Sequence, residues 1–200
     1  MALSEHQIHD RARDRAAWAD VTSLAVFLKL PEEKPALEFM DGKVSQKVSP
    51  KARHGGLQFE LGRLLYDSSG PSRPIRIFTE TRETYAEASL VPDLSVFRRE
   101  RVQKDPDGSL ADDVFIPPDI TVEIHSPSQT IRSQRERCRW YVEHGVRVSL
   151  LLLPRTETVE VFRPDAAPVV ARGADRIDLG DLAPGLGFVV AELFAVLHEA

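Results

Sequence analysis

Two short apolar segments that each contain one acidic residue restrict what this chain can fold into. Residues 91–97 read VPDLSVF and residues 119–128 read DITVEIHSPS, with Asp93 and Glu123 as the acids. Side chains alternate between the two faces of a strand, so Leu94 and Val96 lie opposite Asp93, and the three isoleucine and valine residues of the second segment lie opposite Glu123. A dehydrated and unpaired carboxylate is costly, and each acid therefore needs a cation, an arginine or a metal. The alternative is a surface-facing acid on a half-exposed sheet.

The rest of the chain predicts helices and strands around these two segments. Predicted helices are a short one after Thr22, one over 51–66, one from Ser126 or Ser128 to Gly145, and one over 188–199. Predicted strands are a hairpin turning at Asp41-Gly42, then 74–80, 89–97, 119–125, 146–154 and 157–164, with a polar surface loop over 98–118. Pro92 favours an edge position or a strand start. This order predicts an α/β fold with a mixed β-sheet flanked by helices.

Length and composition predict one main domain. Residues 1–20 are charged and predict a tail or a helix, and residues 21–200 predict a single domain with enough apolar residues for a core. The net charge of -5 gives no global attraction for nucleic acid, so polyanion binding would need a local basic patch. A single cysteine, Cys138, favours a reducing cytoplasm, and no apolar run is long enough to predict a membrane span.

Asp93 and Glu123 have a chemical interpretation if both face one cleft. Paired carboxylates suit a hard divalent cation such as Mg²⁺, which prefers a few carboxylate ligands and several waters. Such an ion can polarise a phosphodiester and supply a nucleophilic water. The two acids therefore suggest metal-dependent hydrolysis, whereas exposure of both would leave them without a role.

Six ordered segments of the chain resemble a known family. These are LEFMDGKV, SPKARHGGL, VPDLSV, VEIHSPS, RERCRWYVEHGV and VEVFRP. Their order and spacing resemble the Uma-two family of restriction endonuclease-like proteins, part of the PD-(D/E)XK nuclease superfamily, over about residues 20–195. The resemblance implies a restriction-endonuclease-like core and a DNA endonuclease that depends on Mg²⁺ or Mn²⁺.

The resemblance also implies roles for five residues. Asp93 and Glu123 would hold the metal, Glu38 would be a third acid beside it, and His54 would assist at the rim. Arg137 stands where the family has a lysine on the helix. Residue by residue, the alternatives are a solvent-facing hairpin position for Glu38 and a core or capping role for His54.

Several positions depart from the family pattern. His125 occupies the superfamily lysine position, and Arg137 replaces the lysine of the family. Arginine can stabilise a phosphate electrostatically, but it stays protonated and is a poor general base. Leu153 also replaces an aspartate that family members tend to have before a proline. An alternative function is therefore a catalytically degenerate nuclease fold that acts as a DNA-binding or protein-interaction module.

Candidate DNA contacts lie in two arginine-rich segments. Arg132, Arg135 and Arg139 surround Arg137 on the predicted helix, and a second cluster lies in residues 98–104. Either segment could neutralise phosphates, although the intervening glutamates also fit a solvated protein surface. The sequence leaves a homodimer open.

Overall fold

The computed structural model describes residues 18 and 20–198, in which helices cover both faces of a mixed β-sheet. The described helices are α1 (Leu24–Phe27), α2 (Ala52–Ser68), α3 (Ile131–Glu143) and α4 (Val190–Ala195), with a 3-10 turn at Arg99–Arg101. The predicted tail over residues 1–20 lies outside the described residues, apart from residues 18 and 20. The predicted fold class, a mixed sheet flanked by helices, is confirmed.

The larger sheet has six strands in the order β10-β9-β8-β7-β6-β3. These are β3 (Ile75–Thr79), β6 (Leu94–Arg98), β7 (Ile120–Ile124), β8 (Val148–Leu153), β9 (Thr158–Phe162) and β10 (Val169–Arg172). Only the β7–β8 pair is parallel, and α3 connects these two strands. A parallel pair needs such a crossover, so the helix that follows Glu123 must return across the sheet.

The two faces of the larger sheet have different coverings. On one face, Leu57, Leu61 and Leu65 of α2 pack with α4 against apolar residues that include Leu94 and Val122. On the other face, Cys138 of α3 packs against Leu151, Leu153 and Phe162. Because side chains alternate along β7, the residues opposite the α2 core, including Glu123, face α3.

A smaller sheet of four strands lies beside α3, in the order β2-β1-β5-β4. Its strands are β1 (Leu37–Met40), β2 (Lys43–Gln46), β4 (Glu83–Tyr85) and β5 (Ala88–Leu90), and β11 (Arg176–Asp178) pairs separately with β12 (Gly187–Val189). The predicted turn at Asp41-Gly42 is confirmed, with φ angles of 53° and 70°. The β4–β5 hairpin was not predicted because its turn residues, Ala86 and Glu87, take positive φ angles without a glycine or asparagine.

Three predicted boundaries are wrong. The segment 89–97 forms two strands in different sheets, with Pro92 in the three-residue connection just before β6. The edge alternative for Pro92 is wrong because β6 lies between β7 and β3, whereas the strand-start alternative agrees with the structure. Thr130 caps α3 instead of Ser126 or Ser128, because its hydroxyl accepts from the Ser133 N–H. The last helix starts at residue 190, since the residues before it pair with β11.

Candidate active site

The candidate site lies where the two sheets meet. Asp93 ends the connection between β5 and β6, Glu123 lies on β7, and Glu38 lies on β1. All three carboxylates are buried, with exposed fractions of 2%, 4% and 4%. A half-exposed position is therefore wrong for Asp93 and Glu123, and a solvent-facing hairpin position is wrong for Glu38.

Arg137 joins two of these acids. Its Nη1 donates to Glu38 Oε2 at 2.8 Å, its Nη2 donates to Glu38 Oε1, and its Nε donates to Glu123 Oε1 at 2.7 Å. Tyr141, one turn further along α3, also donates to Glu123 Oε1, at 2.8 Å. Burial would lower the pKa of Arg137, but the two carboxylates outweigh this effect and raise the pKa well above its usual value. Arg137 thus lies beside Glu38 and Glu123 as a fixed cation, and its role in catalysis stays a prediction.

Both carboxyl oxygens of Glu38 accept hydrogen bonds from the protein. Besides the two bonds from Arg137, its Oε1 accepts the Val91 N–H at 2.8 Å.

Glu123 has a raised pKa. Burial raises the pKa, the Arg137 charge opposes that rise, and the charge of Asp93 adds to it. Of the three predicted metal ligands, Glu38 and Glu123 are therefore bound by Arg137, and Asp93 is not.

Lys47 is a site residue that the sequence reasoning missed. Its Nζ donates to Asp93 Oδ1 at 2.6 Å and to the Val91 carbonyl at 2.7 Å, and it lies 3.3 Å from Glu80 Oε2. Burial would lower the pKa of Lys47, but Asp93, together with other nearby carboxylates, raises it above the ordinary value. Lys47 is therefore a protonated ammonium group directly on the predicted metal-binding aspartate.

Asp93 has contacts to both of its carboxyl oxygens. Its Oδ2 accepts the Ile124 N–H at 2.7 Å, while Oδ1 faces Lys47 and lies 3.4 Å from His54 Nε2. Burial would raise its pKa, but His54 and Lys47 outweigh burial and lower the pKa to about 2. Asp93 is thus ionised throughout the neutral range.

A second acid and a histidine complete a possible metal cluster. His54, Glu80 and Asp93 each offer one ligand atom, and these atoms all lie within 4.8 Å of one another. His54 is 9% exposed, and neither ring nitrogen makes a hydrogen bond to any described residue. Gln58 supports the cluster, since its Nε2 donates to the Asp93 carbonyl at 2.6 Å and lies 3.5 Å from Glu80 Oε1. The sequence did not predict Glu80 or Gln58 as site residues, because polar residues at strand ends and on helix faces are common and carry no specific signal.

Another unusual acid lies behind the site. Glu83 of β4 is fully buried, and neither of its carboxyl oxygens has a hydrogen-bond partner among the described residues. Burial is the main cause that raises the pKa of Glu83, to about 8, and the charge of Glu123 adds to the rise. The nearby Ser95 hydroxyl lowers the pKa in part, although it does not reach hydrogen-bonding geometry. Glu83 is therefore largely a neutral carboxylic acid at neutral pH.

The predicted DNA-contacting arginines have partners inside the protein. Arg132 bonds Glu136 at 2.9 Å, Arg135 bonds Glu160 at 2.8 Å, and Arg139 lies over the Phe162 ring at 5.7 Å. In the second cluster, Arg98 and Arg101 bind the buried carboxylate of Asp119. Phosphate contacts by these residues stay a prediction.

Comparison with known proteins assigns the architecture. The model of the Uma2 family, described as "Putative restriction endonuclease", matches residues 24–191. A crystal structure of "a putative nuclease belonging to DUF820" from Anabaena variabilis is similar, with a TM-score of 0.83 and 34% sequence identity over 88% of this chain and 98% of that chain. No curated protein matches the chain.

These similarities define the class and then the family. The fold is a nuclease-like α/β fold with buried acids at the meeting point of two sheets. The chain belongs to the Uma2 family, as the ordered segments suggested. Across the described residues, no helix is both long and apolar enough to cross a membrane.

Proposed function

We propose that residues 21–200 form one nuclease domain of PD-(D/E)XK type that hydrolyses phosphodiester bonds in DNA with a divalent cation, Mg²⁺ or Mn²⁺. The family and the fold support a nuclease. The observation that carries the metal dependence is the convergence of Asp93, Glu80 and His54 on one small volume.

The donor set fits a divalent cation. A buried imidazole nitrogen that makes no hydrogen bond to a described residue lies 3.4 Å from an ionised carboxylate oxygen, so both groups gain from a cation placed near them. Around the site, Lys47 and Arg137 face four carboxylates, those of Glu38, Glu80, Asp93 and Glu123, which leaves the cluster acidic. Oxygen ligands suit Mg²⁺, and the additional imidazole nitrogen suits Mn²⁺ as well.

The residues of the chain divide into two roles. Asp93, Glu80 and His54 would hold the ion, which when bound can polarise a phosphate and lower the pKa of a water molecule. Gln58 orients Asp93 and Glu80, and the Ile124 N–H fixes the other Asp93 oxygen. Arg137 holds Glu38 and Glu123 and supplies fixed positive charge beside the place where a phosphate would bind.

A specific observation favours a second candidate function. Each of the three nitrogens of the Arg137 guanidinium already donates to Glu38, Glu123 or Tyr141, so the group is held by the protein and not turned toward a phosphate. A catalytically degenerate nuclease fold that binds DNA or a protein would have such an internally satisfied site.

The decisive experiment compares cleavage of plasmid DNA by the wild type, Asp93→Asn and the exposed control Asp107→Asn, with Mg²⁺ or Mn²⁺. We expect Asp93→Asn to lose at least about a hundredfold in rate because it removes a charged ligand, and the control to cleave like wild type. Full cleavage by Asp93→Asn would contradict the assignment. DNA binding without cleavage in the wild type would support the degenerate fold.

A further inference from the structure

We propose that Lys47 is a built-in cation that occupies the place of the divalent metal beside Asp93, so that a divalent ion must displace its ammonium group to bind. This inference rests on the proposed metal-dependent function and concerns how the same site is regulated.

The contacts of Lys47 coincide with those of the proposed metal. Its Nζ has three oxygens around it: Asp93 Oδ1 at 2.6 Å, the Val91 carbonyl at 2.7 Å and Glu80 Oε2 at 3.3 Å. Asp93 and Glu80 are also two of the three groups in the possible metal cluster. The ammonium group and the metal therefore compete for the same two carboxylates.

Simultaneous occupancy is unfavourable for reasons of distance and charge. Mg²⁺ binds oxygen at about 2.1 Å, and Asp93 Oδ1 lies 2.6 Å from the Lys47 nitrogen, so an ion on that oxygen would lie within about 4.7 Å of the nitrogen. At that separation in a buried site, a divalent ion and an ammonium group repel strongly. The side chain of Lys47 is 12% exposed and borders Glu80, whose side chain is 40% exposed, so it can leave toward solvent along its flexible stem.

Arg137 cannot act in the same way. Its planar guanidinium donates to three groups at once, and both oxygens of Glu38 accept from it. Lys47 makes a point contact through one nitrogen, and its departure leaves Asp93 with the Ile124 N–H and with His54. Of these two site cations, Lys47 is the one that a competing cation can replace.

The test is calorimetric titration of Mn²⁺ at neutral pH into the full chain as wild type, Lys47→Met and Lys43→Met. Lys43 is an exposed lysine four residues earlier along the hairpin and controls for loss of one positive charge. We expect Lys47→Met to bind Mn²⁺ at least about tenfold more tightly than wild type and the Lys43 variant to stay within about twofold.

The outcomes separate this inference from the proposed function. Binding by Lys47→Met that is as weak as or weaker than binding by wild type would overturn the competition while leaving the metal site in place. Absence of binding in all three proteins would overturn the metal dependence, and the competition with it. Binding by Lys47→Met alone would support both.

Circular dichroism would show whether Lys47→Met folds. If it does not, a measurement on the wild type tests the same inference. Heteronuclear NMR of the lysine ammonium groups should show Lys47 slowed in exchange with water because three oxygens hold it. Saturating Mg²⁺ should release it to fast exchange. A Lys47 signal that Mg²⁺ leaves unchanged, in a protein that binds the ion, would contradict the displacement.

Discussion

At the scale of single residues, Glu83 shows how the surroundings of the site alter an acid. It is fully buried on β4, has no hydrogen-bond partner among the described residues, and has a pKa raised to about 8, first by burial. A pKa that is higher in the folded than in the unfolded state makes protonation favour folding. The contribution is fully present below the unfolded pKa of about 4.5 and is lost as the pH rises through about 8.

Glu83→Gln should therefore flatten the dependence of stability on pH. The neutral amide keeps the shape of the protonated acid, so we expect a higher free energy of unfolding than wild type at about pH 9 and a smaller difference at about pH 5. Urea denaturation at both pH values checks this result. The exposed control Glu32→Gln should follow the wild-type curve, and an unchanged slope in Glu83→Gln would contradict the assigned pKa.

The acids of the site were easier to predict than their partners. Asp93 and Glu123 stand out because each interrupts an apolar segment, but Lys47 approaches Asp93 across 46 positions of the chain. One signal was available: the turn at 41–42 fixes the hairpin register, pairs Glu38 with Ser45, and puts Lys47 opposite Ala36 on the same face as Glu38. Which buried group that face contacts depends on how the two sheets pack, and the local sequence does not contain that information.

At the scale of elements, the N-terminus of α3 determines where Arg137 lies. The Thr130 hydroxyl accepts the Ser133 N–H at 3.2 Å and satisfies one of the free donors of the first turn.

Thr130→Ala should destabilise the protein by about 0.5–2 kcal/mol because it removes this cap. Ser128→Ala is the matched control, since Ser128 precedes the helix, is exposed and does not cap it. Chemical denaturation of both variants measures the difference. Equal losses in the two variants would indicate that the cap at residue 130 contributes nothing particular.

Elements with strong periodicity were predicted well, and those defined by long-range pairing were not. The helix over 51–66 follows from leucines at helical spacing, which form the buried face of α2. The separation of β5 from β6 depends instead on which strand each half pairs with: Phe39 of β1 with Ser89, and Val122 of β7 with Leu94. A continuous apolar segment carries no local sign of that change of partner.

At the scale of the whole molecule, Arg137 is a link between the two sheets. From α3 it contacts Glu123 on the larger sheet and Glu38 on the smaller one. Its loss would leave two buried carboxylates without their main cation.

Arg137→Met should therefore cost about 3–5 kcal/mol of the free energy of unfolding, whereas Arg139→Met, at an exposed position of the same helix, should cost far less. Adding Glu38→Gln to Arg137→Met should recover part of the loss, because one unpaired charge is removed. Urea denaturation of the three variants and wild type measures these differences. Full stability of Arg137→Met would show that the sheets are held together without this link.

The sequence predicted the general architecture but not its division into two sheets. Alternating apolar and helical patterns predicted a mixed sheet with helices around it, and the structure has that sheet. The second, four-stranded sheet depends on pairings such as Phe39 with Ser89, for which no short-range pattern exists.

The bond between Glu38 and Arg137 also has a consequence for synthesis of the chain on the ribosome. Its two residues are 99 positions apart, so Glu38 is made long before its partner. Contacts of such high sequence separation form late and slow folding, because a long loop must close first. A growing chain that has not yet reached α3 lacks the arginine that neutralises Glu38 and Glu123. The polar cluster therefore assembles only after residue 137 has been translated, and a fragment truncated before that residue cannot complete it.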